Sequence, residues 1–194
     1  MNRIQQIQYL IQVLLQEMPA YQEQARAFPQ DELSQWRLLR SLMNVRPPMP
    51  LDPSFLAVQD ALLSAEREEK GVVEADALPE RPGHPGIALW QGDITRLKAD
   101  AIVDADNDRL LGCFVPCHSC IDNAIHSAAG LQLRDECNRL MEQQGRPEPT
   151  GQAKLTDGYN LPARYVLHTV GPIIHGRVTP QDRELLASCY RSCL

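Results

Sequence analysis

The run Ala101-Ile102-Val103-Asp104-Ala105-Asp106-Asn107-Asp108 leads through a short connection into Gly112-Cys113-Phe114-Val115-Pro116-Cys117-His118-Ser119-Cys120-Ile121-Asp122. Ala101-Ile102-Val103 is a short apolar run of the kind that forms a buried strand. The Cys-rich stretch, about 107–121, reads as a loop. From Asp122 the apolar residues Ile125, Ala128, Ala129, Leu133 and Met141 recur at helical spacing, interrupted by Gly130 and ended near Gly145. This is a strand, a long loop and a helix in that order. Around it, Ile87–Trp90, Ala153–Thr156 and Tyr165–Val170 read as further strands. A last helix opens on Thr179 as N-cap with Pro180 in its first turn. The alternation predicts an α/β fold, a sheet covered by helices on both faces.

Upstream the pattern changes. Ile4, Ile7, Leu10, Ile11, Leu14, Leu15 and Met18 form a helical stripe that Pro19 ends. A second helix is expected near 30–44 through Leu33, Trp36, Leu39, Leu42 and Met43, stopped by Arg46-Pro47-Pro48-Met49-Pro50. A third begins near Asp52 or Pro53 and fades into Glu66-Arg67-Glu68-Glu69-Lys70. These apolar faces read as helices packing on each other and on the next domain. Pro79-Glu80-Arg81-Pro82-Gly83-His84-Pro85-Gly86 is the clearest linker. The organisation is therefore a helical extension over 1–85 and an α/β domain over 86–194.

Composition narrows the function. With 194 residues and 43 % hydrophobic content, a packed core is feasible. No apolar stretch is long enough to span a bilayer, and the first residues lack a secretory pattern, so a cytoplasmic, membrane-free protein is expected. The net charge of −6 argues against nonspecific nucleic-acid binding. All six cysteines fall in the second half, and a reducing compartment makes disulfides unexpected.

Cys113, His118 and Cys120 have the spacing C-x4-H-x-C. Two thiolates and an imidazole suit Zn²⁺, and three protein ligands leave one tetrahedral position for water or substrate. Cys117 as a fourth ligand would instead close the site and make it structural. Plain buried or redox cysteines are the third reading, and all three stay open at this level. Cys137, Cys189 and Cys193 sit in helical patterns as small core residues. The stretch Asp104–Asp108 is not a calcium loop: the sixth and twelfth positions, Arg109 and Val115, lack the required Gly and Glu. It reads as a strand end, where open α/β sheets bind ligands and Asn or Asp can reach ribose hydroxyls.

Several motifs in order resemble macrodomains: Gln91-Gly92-Asp93-Ile94-Thr95; Asp100-Ala101-Ile102-Val103 with Asn107; Ala124-Ile125-His126-Ser127-Ala128-Ala129-Gly130; Gly151-Gln152-Ala153; Thr156-Asp157-Gly158-Tyr159 with Leu161-Pro162-Ala163; and His168-Thr169-Val170-Gly171-Pro172. The Cys-rich loop in place of a glycine run, and the helical N-terminal extension, resemble the microbial zinc-dependent members. That resemblance implies a three-layer α/β/α fold with a mixed sheet that binds ADP-ribose and removes mono-ADP-ribose from proteins. In bacteria it is associated with sirtuin-type modification of a lipoyl-carrier protein under oxidative stress. It gives Asp93 the adenine amino group and Ile94 a backbone contact with the ligand. It gives Asn107 the distal-ribose contact, Cys113, His118 and Cys120 the zinc, and Asp122 a place near the distal ribose; Asp104, at the same strand end, is expected to bind the ligand as well. Asn107 and Asp122 are then the catalytic pair, with Asp122 orienting or deprotonating a water whose pKa zinc lowers to about 7. His126, one turn on, reads as a packed helix histidine.

Two departures from the pattern matter. The family's Asn-Ala-Ala-Asn-Ser is Asp104-Ala105-Asp106-Asn107-Asp108 here, and each added carboxylate near an anionic ligand is expected to oppose binding by about 1 kcal/mol. The family's second phosphate-holding loop is also not found, so the sheet is expected to be incomplete at its C-terminal side. A noncatalytic ADP-ribose-binding module and a structural zinc module are the alternative readings.

Overall fold

The computed structural model describes residues 1–194. Four helices come first: α1 Arg3–Glu17, α2 Gln22–Arg26, α3 Glu32–Val45 and α4 Pro53–Lys70. Each long one starts where its sequence supplies an acceptor for orphan amides. Asn2 caps α1 in a reciprocal box with Gln5, Asp31 caps α3 through Ser34 N, and Asp52 caps α4 with Pro53 following. Their apolar stripes meet in one core that includes Ile7, Leu10, Leu14, Leu39, Leu42 and Leu62. The charged end of α4 stays helical to Lys70, with Glu66 and Glu69 both paired to Arg3 of α1. The five-residue α2 is too short to show a period and lies outside the three expected helices.

The sheet unit follows. Strand β1 Val73–Glu74 pairs in parallel with β2 Leu97–Lys98. Strands β3 Ala101–Asp106, β4 Ala153–Asp157 and β5 Tyr165–Val170 form a mixed sheet in the order β3-β5-β4, with β3 parallel and β4 antiparallel to β5. Helices α5 Ile121–Ala129 and α6 Leu131–Gln144 cover the face that carries Ile102 and Val166. Helix α7 Pro180–Cys193 lies by the β5 end, where Cys189 Sγ contacts Val170 O and Ser188 and Ser192 donate to Gly151 O. No helix is long and apolar enough to cross a membrane.

Two expectations change. Ile87–Trp90 is not a strand: one isolated bridge, Glu80 to Ala88, is its only ladder contact. Leu89 is 85 % exposed, so this apolar run has no neighbouring strand or core to dock on. The extension and the α/β domain are not divided cleanly at residue 85 either. β1 lies before the linker yet pairs with β2 beyond it. Leu131 of α6 belongs to the helical core. Gln59 Oε1 accepts from Leu131 N, and Arg134 Nη1 donates to the carbonyls of Met43, Asn44 and Arg46 at the end of α3. Those contacts satisfy carbonyls that α3 leaves orphaned. Gly130, at φ +99°, turns the chain between α5 and α6, and a Cβ there would fall 2.7 Å from the Gln59 amide.

Candidate functional site

The Cys-rich loop sits at the N-terminus of α5. The donor atoms of Cys113, His118 and Cys120 all lie within 4.8 Å of one another. Cys120 is also the N-cap of α5, its Sγ accepting from Asn123 N at 3.4 Å. Burial pushes the Cys120 thiol up, and the neighbouring Cys113 and Asp122 add to it. Cys117 does not join the three. Its backbone takes φ +50° and its Sγ turns toward α3, 3.4 Å from Ser41 Oγ and 3.6 Å from Arg37 O.

Residues with no motif to betray them hold this loop. Asn123 Nδ2 donates to Cys113 O and Val115 O, while its Oδ1 accepts from Arg40 Nη2 at 2.7 Å. Arg40 also reaches His118 O, and Asn44 Oδ1 accepts from Cys117 N at 2.9 Å. The helical layer therefore clamps the loop from one side. Asn107 lies beside it: Nδ2 donates to Gly112 O at 3.4 Å and to Asp106 Oδ1, and Oδ1 accepts from Arg109 N. Its side chain is exposed, fixed in this turn.

Asp104 and Asp122 turn elsewhere. Asp104 is fully buried and faces the sheet interior, because residues 102, 104 and 106 of β3 share one face. Burial removes it from any ligand surface, which corrects its expected ribose contact. Asp122 is 5 % exposed, its Oδ1 3.6 Å from His126 Nε2. Burial first, then the charges of Asp106 and Asp104, push its carboxyl up to about 8. It is thus a buried carboxyl whose enclosed neighbours favour its protonated form.

Asp93 opens on a different cavity, of about 140 Å³, lined also by Trp36, Arg40, Lys70, Arg96 and Ser127. None of the three sulfur and imidazole donors lines it. Asp93 Oδ1 accepts from Thr95 N and Oγ1, starting the turn in which Ile94 packs against the sheet core.

A second cluster lies under the loop. Asp104 and Asp106 of β3, His168 of β5 and His126 of α5 bring one donor atom each within 4.8 Å. Burial disfavours an imidazolium at His168, yet the Asp104 and Asp106 carboxylates outweigh it and raise this group to about 12. His126, 5 % exposed, is driven down by burial. The two imidazoles work in the opposite sense on Asp106, overcoming its burial and lowering its carboxyl. Sequence patterning carried a signal for this cluster in the alternation Ile102, Asp104, Asp106, with polar residues at inward strand positions.

Residues 103–194 match the macro domain family. The chain is 50 % identical over 188 residues to a protein-ADP-ribose hydrolase of Treponema medium, covering 96 % of this chain and 71 % of that protein. This chain belongs to the macrodomain family. It is 51 % identical over 160 residues to a protein-ADP-ribose hydrolase of Staphylococcus aureus strain MSSA476, covering 82 % of this chain but 59 % of that relative. The Trypanosoma brucei macrodomain, solved in complex with ADP-ribose, superposes with TM-score 0.55 at 33 % identity over 79 % of this chain and 65 % of that one. This macrodomain thus shares the α/β fold of its relatives while spanning 59–71 % of the length of these two hydrolases.

Proposed function

We propose that this macrodomain binds ADP-ribose and hydrolyses mono-ADP-ribose from modified proteins, with zinc held by Cys113, His118 and Cys120. The observation that carries this reading is the convergence of those three donors while Cys117 is bonded away to α3. Two thiols and an imidazole match the preference of zinc, and three ligands leave a position free for substrate or water. Zinc bound there supplies a Lewis acid at the distal ribose. The chain's own residues do the positioning. Asn107 is fixed at the loop edge for a ribose hydroxyl, and Asp93 accepts from an exocyclic adenine amine. Arg40, Lys70 and Arg96, around the same cavity as Asp93, favour an anionic diphosphate. Similarity to relatives named protein-ADP-ribose hydrolase supports the reaction class. A lipoyl-carrier protein bearing ADP-ribose is the substrate to try first.

One observation favours the noncatalytic alternative: Asp122 is 5 % exposed and its carboxylate faces His126 at 3.6 Å, enclosed away from the loop surface. Calorimetry with ADP-ribose beside a release assay on a mono-ADP-ribosylated protein separates the two. Hydrolysis that needs zinc and falls at least about 100-fold in Cys113→Ala supports the hydrolase. Binding without turnover supports the reader, and turnover by the metal-free Cys113→Ala protein refutes the zinc role.

A further inference from the structure

We propose that Asp104, Asp106, His126 and His168 form a second, buried metal site, for one divalent first-row transition ion, independent of the Cys-rich loop. Four donors reach one point from three elements. Asp104 is paired in register with His168 across the parallel β3-β5 ladder, so both side chains rise from the same face. Asp106 lies two residues on along β3, and α5 lays His126 over that face.

The spacings suit an ion between them. His168 Nδ1 is 3.2 Å from Asp106 Oδ2 and 3.6 Å from Asp104 Oδ2. His126 Nε2 is 3.9 and 4.0 Å from the same two oxygens. A tetrahedron with metal–donor bonds of about 2.1 Å has edges of about 3.4 Å, inside this range. His168 Nε2 lies 3.0 Å from Thr156 Oγ1, which fixes the ring with Nδ1 toward the carboxylates. Such an outer hydrogen bond is the usual support of a ligating imidazole.

Independent of spacing, the cluster is short of partners. Asp104 is 0 % exposed, and neither of its carboxylate oxygens has a hydrogen-bond partner. Both ring nitrogens of His126, 5 % exposed, are also unpartnered. Gly112 packs against that ring so closely that a Cβ would lie 2.9 Å from His126 Cγ. Orphaned buried groups of this kind cost several kcal/mol unless something satisfies them. No Lys or Arg pairs with Asp104 or Asp106; their ion-pair neighbours are the two imidazoles. Two carboxylates balance the charge of one divalent ion, and the ion would take the idle lone pairs of Asp104 and His126. Two oxygens and two nitrogens suit Mn²⁺, Fe²⁺ or Zn²⁺; they are too few oxygens for Ca²⁺ and too hard for Cu⁺. The donor set is the opposite of the loop's sulfur-rich one. Such an ion would pin β3, β5 and α5 together directly beneath the candidate zinc loop.

Cobalt titration of the full chain, stripped by chelator, tests this, with Co²⁺ counted by mass spectrometry and its absorption recorded. The wild type is expected to bind two Co²⁺. A Cys113→Ser/His118→Ala/Cys120→Ser variant is expected to keep one, with visible bands but no thiolate charge-transfer band, and to melt about 5 °C higher with Co²⁺. An Asp104→Asn/Asp106→Asn variant is expected to keep one with the charge-transfer band. The proposal is overturned if the loop variant, folded by circular dichroism, binds less than about 0.1 equivalent. It is equally overturned if the Asp variant still binds two. Loss of hydrolase activity would bear on the loop reading alone, because the loop variant's metal count is read without turnover.

Discussion

The helical layer and the sheet unit bury residues to the same depth, but the sheet unit adds a cluster of ionisable groups to its apolar core. Ile7, Leu10, Leu14 and Leu39 are 0 % exposed in the helical core; Asp104, Asn123 and His168 are 0 % exposed in the sheet unit. Helices α1, α3 and α4 meet mainly through apolar side chains, supplemented by the pairs of Arg3 with Glu66 and Glu69 and of Arg46 with Glu17. The sheet unit places ionisable groups where each needs a partner, and its partners include backbone and side chains of the helical layer. Arg40, Asn44 and Gln59 reach across to Asn123, Cys117 and Leu131. The helical extension is therefore the scaffold of the candidate site, a role its own sequence does not display.

The largest blow to this division of labour is expected from emptying the apolar side. Leu39→Ala should lower unfolding free energy by about 4 kcal/mol in urea titration, because the fully enclosed site cannot collapse around the void. A loss below about 1 kcal/mol would mean that the helical core is looser than its burial implies. Next comes the join. Arg134 is 3 % exposed, stays charged although burial lowers it to about 10, and bonds the carbonyls of Leu111, Met43, Asn44 and Arg46. Arg134→Ala should cost about 3 kcal/mol and let the two halves unfold in separate steps.

The polar side should show itself in pH. The folded protein holds the His168 proton up to about 12, and the unfolded chain releases it near 6.5. Its contribution is complete below about 6.5 and drains away as pH rises toward 12. Asp122, raised to about 8, acts in the same direction: its folded form keeps a proton that the unfolded chain loses near 3.8. Unfolding free energy of the chelated protein should therefore fall from pH 6 to pH 9 by several kcal/mol. His168→Asn should flatten the upper part of that slope, and an unchanged slope would take His168 out of the account. The smallest effect on stability, and the most local, is expected from Asn44→Ala. About 1 kcal/mol should be lost, while zinc affinity of the Cys-rich loop should fall about tenfold as Cys117 loses its backbone anchor. Calorimetric zinc titration reads this directly.

Much of the fold was legible as period and punctuation. The stripe of α1, the Pro-Pro stop after α3, Gly130 between α5 and α6, and Pro180 opening α7 are local signals, and the structure has each element there. The misses share a cause. Ile87–Trp90 has strand composition but no partner, and β1 and β2, two residues each, exist only because they pair. In the site, Cys113, His118 and Cys120 were readable as candidate donors from residue type and spacing, while Cys117, in the same eight residues, is turned to α3 by contacts that only the fold supplies. The surroundings of Asp122 were not legible, because sequence gives a side chain's position along a helix but not which enclosed groups it faces.

Sequence alone thus determined most of the longer elements, the macrodomain motifs and the Cys- and His-bearing loop, since all of these are set within a few residues by helical period, turn chemistry and residue type. Tertiary structure alone decided that Asp106 meets His168 from 62 residues away and that Asn44 anchors Cys117 from 73. It also decided that Asp104 faces the protein and not a ligand. Strand register and helix-on-helix packing fix those meetings, and both are properties of the whole chain that no window of sequence contains.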